Sequence, residues 1–268
     1  MKPFYILEFF SSGLKSELKV NHFPIVMENI GYQNSTTQVI NRWLGQRNNH
    51  IALTLDFPDY PAVQDENDPA IPERQEVRIK IYDGIQTEKG MVANQLLWEY
   101  QWPQDPADKF VKAITVEEKI NDTLPNLPIT RLWQYSEKLP QLTEQDRHDL
   151  TLLLKTIRGH FSNQDYDKAY EFFKYRYEDE EIAEYIDQGA IKRAVLEMWR
   201  QYLPDPNLVM NQISQEDLEF TLLGNERVVQ LTMANDDFPI EFENEEDGQC
   251  IGIALSFCKI NGHWLVIR

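Results

Sequence analysis

The chain reads as two domains: an all-β sandwich over about residues 1–120, and an α+β domain of helices packed on a curved antiparallel sheet over about 143–268. Three observations predict this. Short runs before residue 120 alternate apolar and polar side chains with period two, apolar spacing changes to the helical 3.6 near Thr143, and a proline-bearing stretch at 121–142 lies between. That stretch, with Pro125, Pro128 and Pro140, disfavours helix and reads as an ordered linker, its Ile129, Leu132, Trp133 and Tyr135 needing cover.

In the first half Val77, Ile79 and Ile81 fall on one face of a strand, and Arg78, Lys80 and Tyr82 on the other. Similar runs at Phe4–Phe10, Ser16–Val20, Ile51–Phe57, Gln95–Trp102 and Phe110–Glu117 predict further strands. Their number and polar turns favour a jelly-roll-like sandwich. The Pro- and acid-rich segment 58–72 is an exposed loop. No long amphipathic helix competes.

In the second half Thr143 reads as an N-cap, followed by a helix carrying Leu150, Leu153, Leu154, Ile157 and Phe161 inward. A second helix spans Asp165–Tyr177. The acidic run Glu178–Glu181 opens a further short helix ended by Gly189, and Ala190–Leu203 forms another, stopped by Pro204 and Pro206. Strands follow at Leu218–Leu223, Arg227–Met233, Phe238–Glu243, Cys250–Lys259 and His263–Arg268. Asn261-Gly262 supplies the positive φ angles of a type I′ hairpin.

Formal charge is −18: residues 1–140 hold 14 basic and 19 acidic side chains, net −5, while 141–268 hold 12 and 25, net −13. Such a chain lacks the cations that release counterions from nucleic acid. Glu8 interrupts the apolar N-terminus and no window reaches the length of a membrane span, so a cytoplasmic protein is expected. Cys250 and Cys258 read as one strand. At about 3.3 Å per residue they stand roughly 26 Å apart, so both are expected free, buried and packed on the strand's small face under helices.

Two resemblances follow from these residues. The second half is similar to the nuclear transport factor 2-like superfamily in its helices-then-sheet order and in the hairpin Lys-x-x-Gly-x-Trp, matched by Lys259, Gly262 and Trp264. The resemblance covers 143–268 and implies a sheet wrapped on helices as a cone, closed by the last strands. Val20–Leu55 loosely resembles small ligand-binding-like sandwiches, but Asn21-His22 replaces the usual Asn-Gly and no Gly stands at 47–49, so no sugar or lipid site carries over.

For cone-fold enzymes the resemblance implies an Asp–His or Tyr–Asp pair, for which Asp165, Tyr166, His160 and His263 are the candidates. His160 reads more simply as a helix-end residue and Asp165 as a helix start, so no catalytic residue is assigned. The five histidines show no paired spacing and no Cys/His cluster exists, so neither metal nor cofactor is expected. What remains is surface. Outward residues Glu219, Glu241 and Glu243, with Glu245, Glu246 and Asp247, form an expected acidic rim for a basic protein partner. The expectation is a non-catalytic binding module, sharing with bacterial immunity proteins its acidity, size and lack of catalytic motifs. The alternatives are a small-ligand binder using the cone pocket or sandwich rim, and a cone-fold isomerase or hydratase.

Overall fold

The structure is a computed structural model that describes residues 4–28, 31–45, 49–56, 74–87, 90–104, 113–120, 132–234, 237–244 and 248–267. The chain divides into two compact units, residues 1–130 and 131–268. It is built mainly of antiparallel strands in four sheets, with its long helices in the second half.

The first unit contains β1 (Phe4–Ser12), β2 (Lys15–Val20), β3 (Phe23–Glu28), β4 (Asn34–Val39), β5 (His50–Asp56), β6 (Glu76–Thr87), β7 (Gly90–Trp102) and β8 (Ala113–Lys119). They pair as β4-β1-β6-β7 and β3-β2-β5-β8. Tyr5, Leu7 and Phe9, with Val77, Ile79 and Ile81, meet Leu18, Val20, Ile51, Leu53 and Leu55 in one core. The alternation that predicts β6 thus buries the expected face. β3 and β4 were not expected; β4, Asn-Ser-Thr-Thr-Gln-Val, has almost no apolar signal and exists because β1 supplies its hydrogen-bonding partner along Ile6–Ser11. The exposed loop expected at 58–72 lies outside the described residues.

The β2–β3 turn shows how this unit replaces glycine. Asn21 and His22 both take left-handed backbone, φ 51° and 65°. Asn21 Nδ2 donates to Trp43 O and to Asn49 Oδ1, each at 2.7 Å, while Asn21 Oδ1 accepts from His50 N at 3.0 Å. A buried amide network therefore holds the turn that Asn-Gly would form unaided. It also sets the His22 ring edge-on to His50, centroids 4.2 Å apart.

The second unit begins with α1 (Leu132–Tyr135), followed by α2 (Glu144–Ser162), α3 (Tyr166–Glu184) and α4 (Ala190–Tyr202). Residues 132–142, read in sequence as linker, pack within this unit: Glu137 N donates to Lys259 O and Leu139 N to Glu226 O. Residues 121–131 lie outside the described residues. The separate helix expected from Glu178 is absent, because α3 continues unbroken to a left-handed cap at Tyr185. Tyr166, Tyr170, Phe173 and Tyr177 set a buried stripe that Glu181 prolongs at helical spacing, so the acidic run does not interrupt packing. Glu181 is 5 % exposed, and its carboxylate accepts from Gly189 N at 2.8 Å and Ile191 N at 2.9 Å, capping α4.

After α4 come β9 (Leu208–Met210), β10 (Leu218–Leu223), β11 (Val228–Met233), β12 (Ile240–Asn244), β13 (Cys250–Ile253), β14 (Leu255–Ile260) and β15 (His263–Val266). β10-β11-β14-β15 form one sheet and β13-β12-β9 another. The run read as one strand, Cys250–Lys259, is therefore two strands divided at Ala254 and serving different sheets. This corrects the cysteine expectation. Both thiols are free, but Cys258 is buried and Cys250 exposed. The small face is only partly covered: Cys250, Gly252 and Ala254 are exposed, while Ser256 and Cys258 are buried. At Gly252 the near neighbour is the Phe238 ring of the segment before β12, where a Cβ would stand 2.0 Å from Phe238 Cδ2.

Helices and sheets meet through aromatic rings, Phe161 against Trp199 at 4.9 Å and against Phe242 of β12 at 6.0 Å. Thr143 caps α2 in a reciprocal box with Asp146. The same carboxylate accepts from Lys259 Nζ of β14 at 2.7 Å, and that ammonium lies 5.2 Å from the Trp264 ring. Burial opposes the Asp146 charge, yet Lys259 and Thr143 hold its carboxyl below the ordinary value. The Lys259 ammonium is correspondingly raised, chiefly by Asp146. Of the hairpin residues, Lys259 and Trp264 meet in this contact, while Gly262 N donates to Glu137 Oε1 at 2.7 Å; Gly262 has φ 77°, and Asn261 φ 50°, as a type I′ turn requires.

Two outcomes follow. Lys259→Met leaves the Asp146 carboxylate without its cation and should lower stability by about 2 kcal/mol, while Asp146→Asn added to Lys259→Met should recover part of the loss in denaturant titrations. Burial, followed by the neighbouring His50 charge, lowers the His22 pKa from its ordinary 6.5. The unfolded chain then binds the proton more readily, so this stability is present above pH 6.5 and declines as pH falls below it. His22→Gly should flatten that decline and, by relieving the left-handed residue, raise the thermal midpoint at neutral pH.

Candidate functional site

Arg158 of α2 fixes the ground on which the acidic rim stands. Half-buried and with no carboxylate partner among the described residues, it donates from Nη1 to Asn211 Oδ1 at 2.7 Å and to Pro239 O at 2.6 Å, and from Nη2 to Asn211 O. Burial lowers its pKa. Asn211 N in turn donates to Glu241 O at 2.9 Å, so the guanidinium binds the approach to β12 to the helix layer.

On β12, Ile240 and Phe242 point into the core, which turns Glu241 and Glu243 outward. Glu241 stands opposite Gly252 and Glu243 opposite Cys250. Asp237, just before the strand, completes the group. Desolvation, then the charges of Glu241, Glu243 and Asp237, and a hydrogen bond with Glu241, raise the Cys250 thiol above its ordinary value. The charged groups acting on it are all carboxylates. A thiol held protonated is a poor nucleophile and a poor metal ligand. Among the described residues no group of three or more His, Cys, Asp or Glu could hold a metal ion.

The structure therefore assembles part of the expected rim. Glu241 and Glu243 are neighbours on one sheet face, whereas Glu219 lies on β10, an edge strand of the other sheet, opposite Thr232. Glu245, Glu246 and Asp247 lie outside the described residues. Asp237 and Cys250 were missed by the sequence reading. Asp237 sits in the same acid-rich stretch and was legible; Cys250 required the β12–β13 register.

Of the four residues weighed for catalysis, His160 and Asp165 come together, Nδ1 to Oδ2 at 3.9 Å, at the α2–α3 connection. Asp165 accepts from Lys168 at 3.0 Å, and that contact, ahead of His160, holds its carboxyl below the ordinary value. Tyr166 is buried, which raises its phenol. His263 lies elsewhere, at the start of β15. A pair with no local signal in the sequence is His22 with His50, joined by β2–β5 pairing; His50 Nε2 lies 3.9 Å from Glu117 Oε1.

No described helix is long and apolar enough to cross a membrane. In the native chain a maleimide reagent should label Cys250 and leave Cys258, with labelling of Cys250 accelerating above the ordinary thiol pKa; equal labelling of both would contradict the assigned burial. The chain matches no family model, no curated protein and no solved structure.

Proposed function

We propose that the chain is a non-catalytic protein-binding module, of the immunity or toxin-system accessory kind, that engages a basic partner through its acidic second unit in a bacterial cytoplasm. One observation carries the reading: on the β12–β13 face Glu241 and Glu243 turn outward opposite Gly252 and the exposed Cys250, and with Asp237 they place three negative charges about that thiol. Like charges so placed repel one another and gain from an incoming cation. The finer fold belongs to the same proposal. A jelly-roll-like sandwich is supported by two antiparallel sheets sharing a core, and a cone by helices followed by a meander ending in the Lys259–Trp264 hairpin.

A second reading, a small-ligand binder, is favoured by a groove of about 310 Å³ on the β4-β1-β6-β7 sheet, lined by Glu8, Phe10, Ser35, Thr37, Arg78 and Lys80. There the Arg78 guanidinium lies 4.6 Å from the Phe10 ring.

The test is affinity purification of the full chain followed by native mass spectrometry and association kinetics. A basic protein captured by the chain, and associating about tenfold more slowly at low salt with Glu241→Lys/Glu243→Lys, supports the first reading. Kinetics unchanged by both the reversal and added salt overturn it. A retained small acid released by Arg78→Ala supports the second.

A further inference from the structure

The turn between β2 and β3 is fastened by a residue whose own ring can take up a proton. Asn21 N donates to His50 O at 3.0 Å and Asn21 Oδ1 accepts from His50 N at 3.0 Å, so the backbone of His50 holds the turn. Its imidazole, 16 % exposed, stands edge-on to the His22 ring with centroids 4.2 Å apart. His50 Nε2 is buried and has no hydrogen-bond partner among the described residues. His22 keeps left-handed backbone, φ 65°, which these contacts must maintain.

β3 depends on that turn. It is an edge strand, paired among the described strands with β2 alone. Pro24 has no N–H to give, the β2–β3 register shifts between Leu18 and Lys19, and from β4 Gln38 Nε2 reaches Ile25 O at a long 3.4 Å. Freed at the turn, β3 can leave without parting β2 from β5 or β5 from β8.

The charged groups around the two rings decide what a proton does there. On β2, Lys19 is bound to Glu17 at 2.7 Å. On β8, Lys119 stands opposite His50, and Glu117 Oε1, on a side chain 64 % exposed, lies 3.9 Å from His50 Nε2. Arg42, 4.8 Å from the Trp43 ring, belongs to the segment whose Trp43 O accepts from Asn21. Burial, then the His50 charge, lowers the His22 pKa; Lys19 adds to this, and among the groups acting on His22 only Glu117 opposes it. A turn released into water regains the ordinary 6.5, so protons favour the open form as pH falls below that value.

We propose that His22 and His50 form an acid-operated latch: protonation of the pair releases the β2–β3 turn and the edge strand β3, while β2, β5 and β8 stay paired. Release bares Phe23 and Val26, both buried in the closed form, and leaves one edge of β2 without its partner strand. The first unit thereby offers at that place an unpaired strand edge in acid and a covered one at neutral pH.

Hydrogen–deuterium exchange of the full chain, read by mass spectrometry at about pH 7.5 and about pH 5 and corrected for intrinsic amide rates, tests the latch. Protection over residues 21–28 should fall at least about tenfold at the lower pH, while 51–55 and 77–82 hold theirs. His22→Asn keeps a residue suited to left-handed backbone and removes the ionising ring, so it should retain protection at both pH values. Glu117→Gln removes the charge that favours a protonated ring and should enlarge the loss. Unchanged protection over 21–28, an equal loss in all three segments, a loss that persists in His22→Asn, or a smaller loss in Glu117→Gln would each overturn the proposal.

Discussion

The contact between Asp146 and Lys259 joins parts of the second unit that are 113 residues apart in sequence. Asp146 is at once the reciprocal partner of the Thr143 cap and the acceptor of the Lys259 ammonium, so the start of α2 and the last sheet are positioned by one carboxylate. The ammonium also lies against Trp264, whose ring packs at the edge of the core. Around that point the chain adds backbone bonds from Glu137 and Leu139 to the two hairpins, so the segment before α2 becomes part of the sheet's support. A buried carboxylate is tolerated here because every lone pair in use faces a donor. The pair therefore converts a helix cap into a tertiary clamp.

Arg158 does for the smaller sheet what Lys259 does for the larger. Among the described residues it meets carbonyl and amide oxygens, and burial lowers its pKa. The acidic face of β12 sits on the far side of the strand that this cation holds. Charge of both signs is used inside this unit, Arg158 holding carbonyl oxygens and the Asp146 and Glu181 carboxylates holding an ammonium and backbone amides, while Glu241 and Glu243 turn outward.

How much of this was legible depended on whether the signal was local. The Thr143 cap, the α2 stripe from Leu150 to Phe161, the alternation of β6 and the Asn261-Gly262 hairpin are patterns within a few residues, and they stand where the sequence put them. β4 was illegible because its pairing with β1 supplies what its own side chains lack. The site was half legible. Alternation along β12 sent Glu241 and Glu243 outward, but the distance between them and Glu219 is a matter of which sheet each strand joins.

The sequence by itself determined the switch from strand to helix near Thr143, the concentration of negative charge in the second half, and the outward direction of the β12 carboxylates, since each depends on periodicity or composition alone. Tertiary structure decided the rest. It divided Cys250–Lys259 at Ala254 between two sheets, so that one thiol is buried and the other exposed, because only pairing partners fix where a continuous apolar run must change sheets. It carried α3 through its acidic run because Glu181 found the amide groups of α4's first turn, and it brought His22 to His50 because Asn21 found Asn49 and Trp43. Those contacts join residues of different elements, 8 to 28 positions apart, and no pattern within one element encodes a hydrogen-bond partner that only folding supplies.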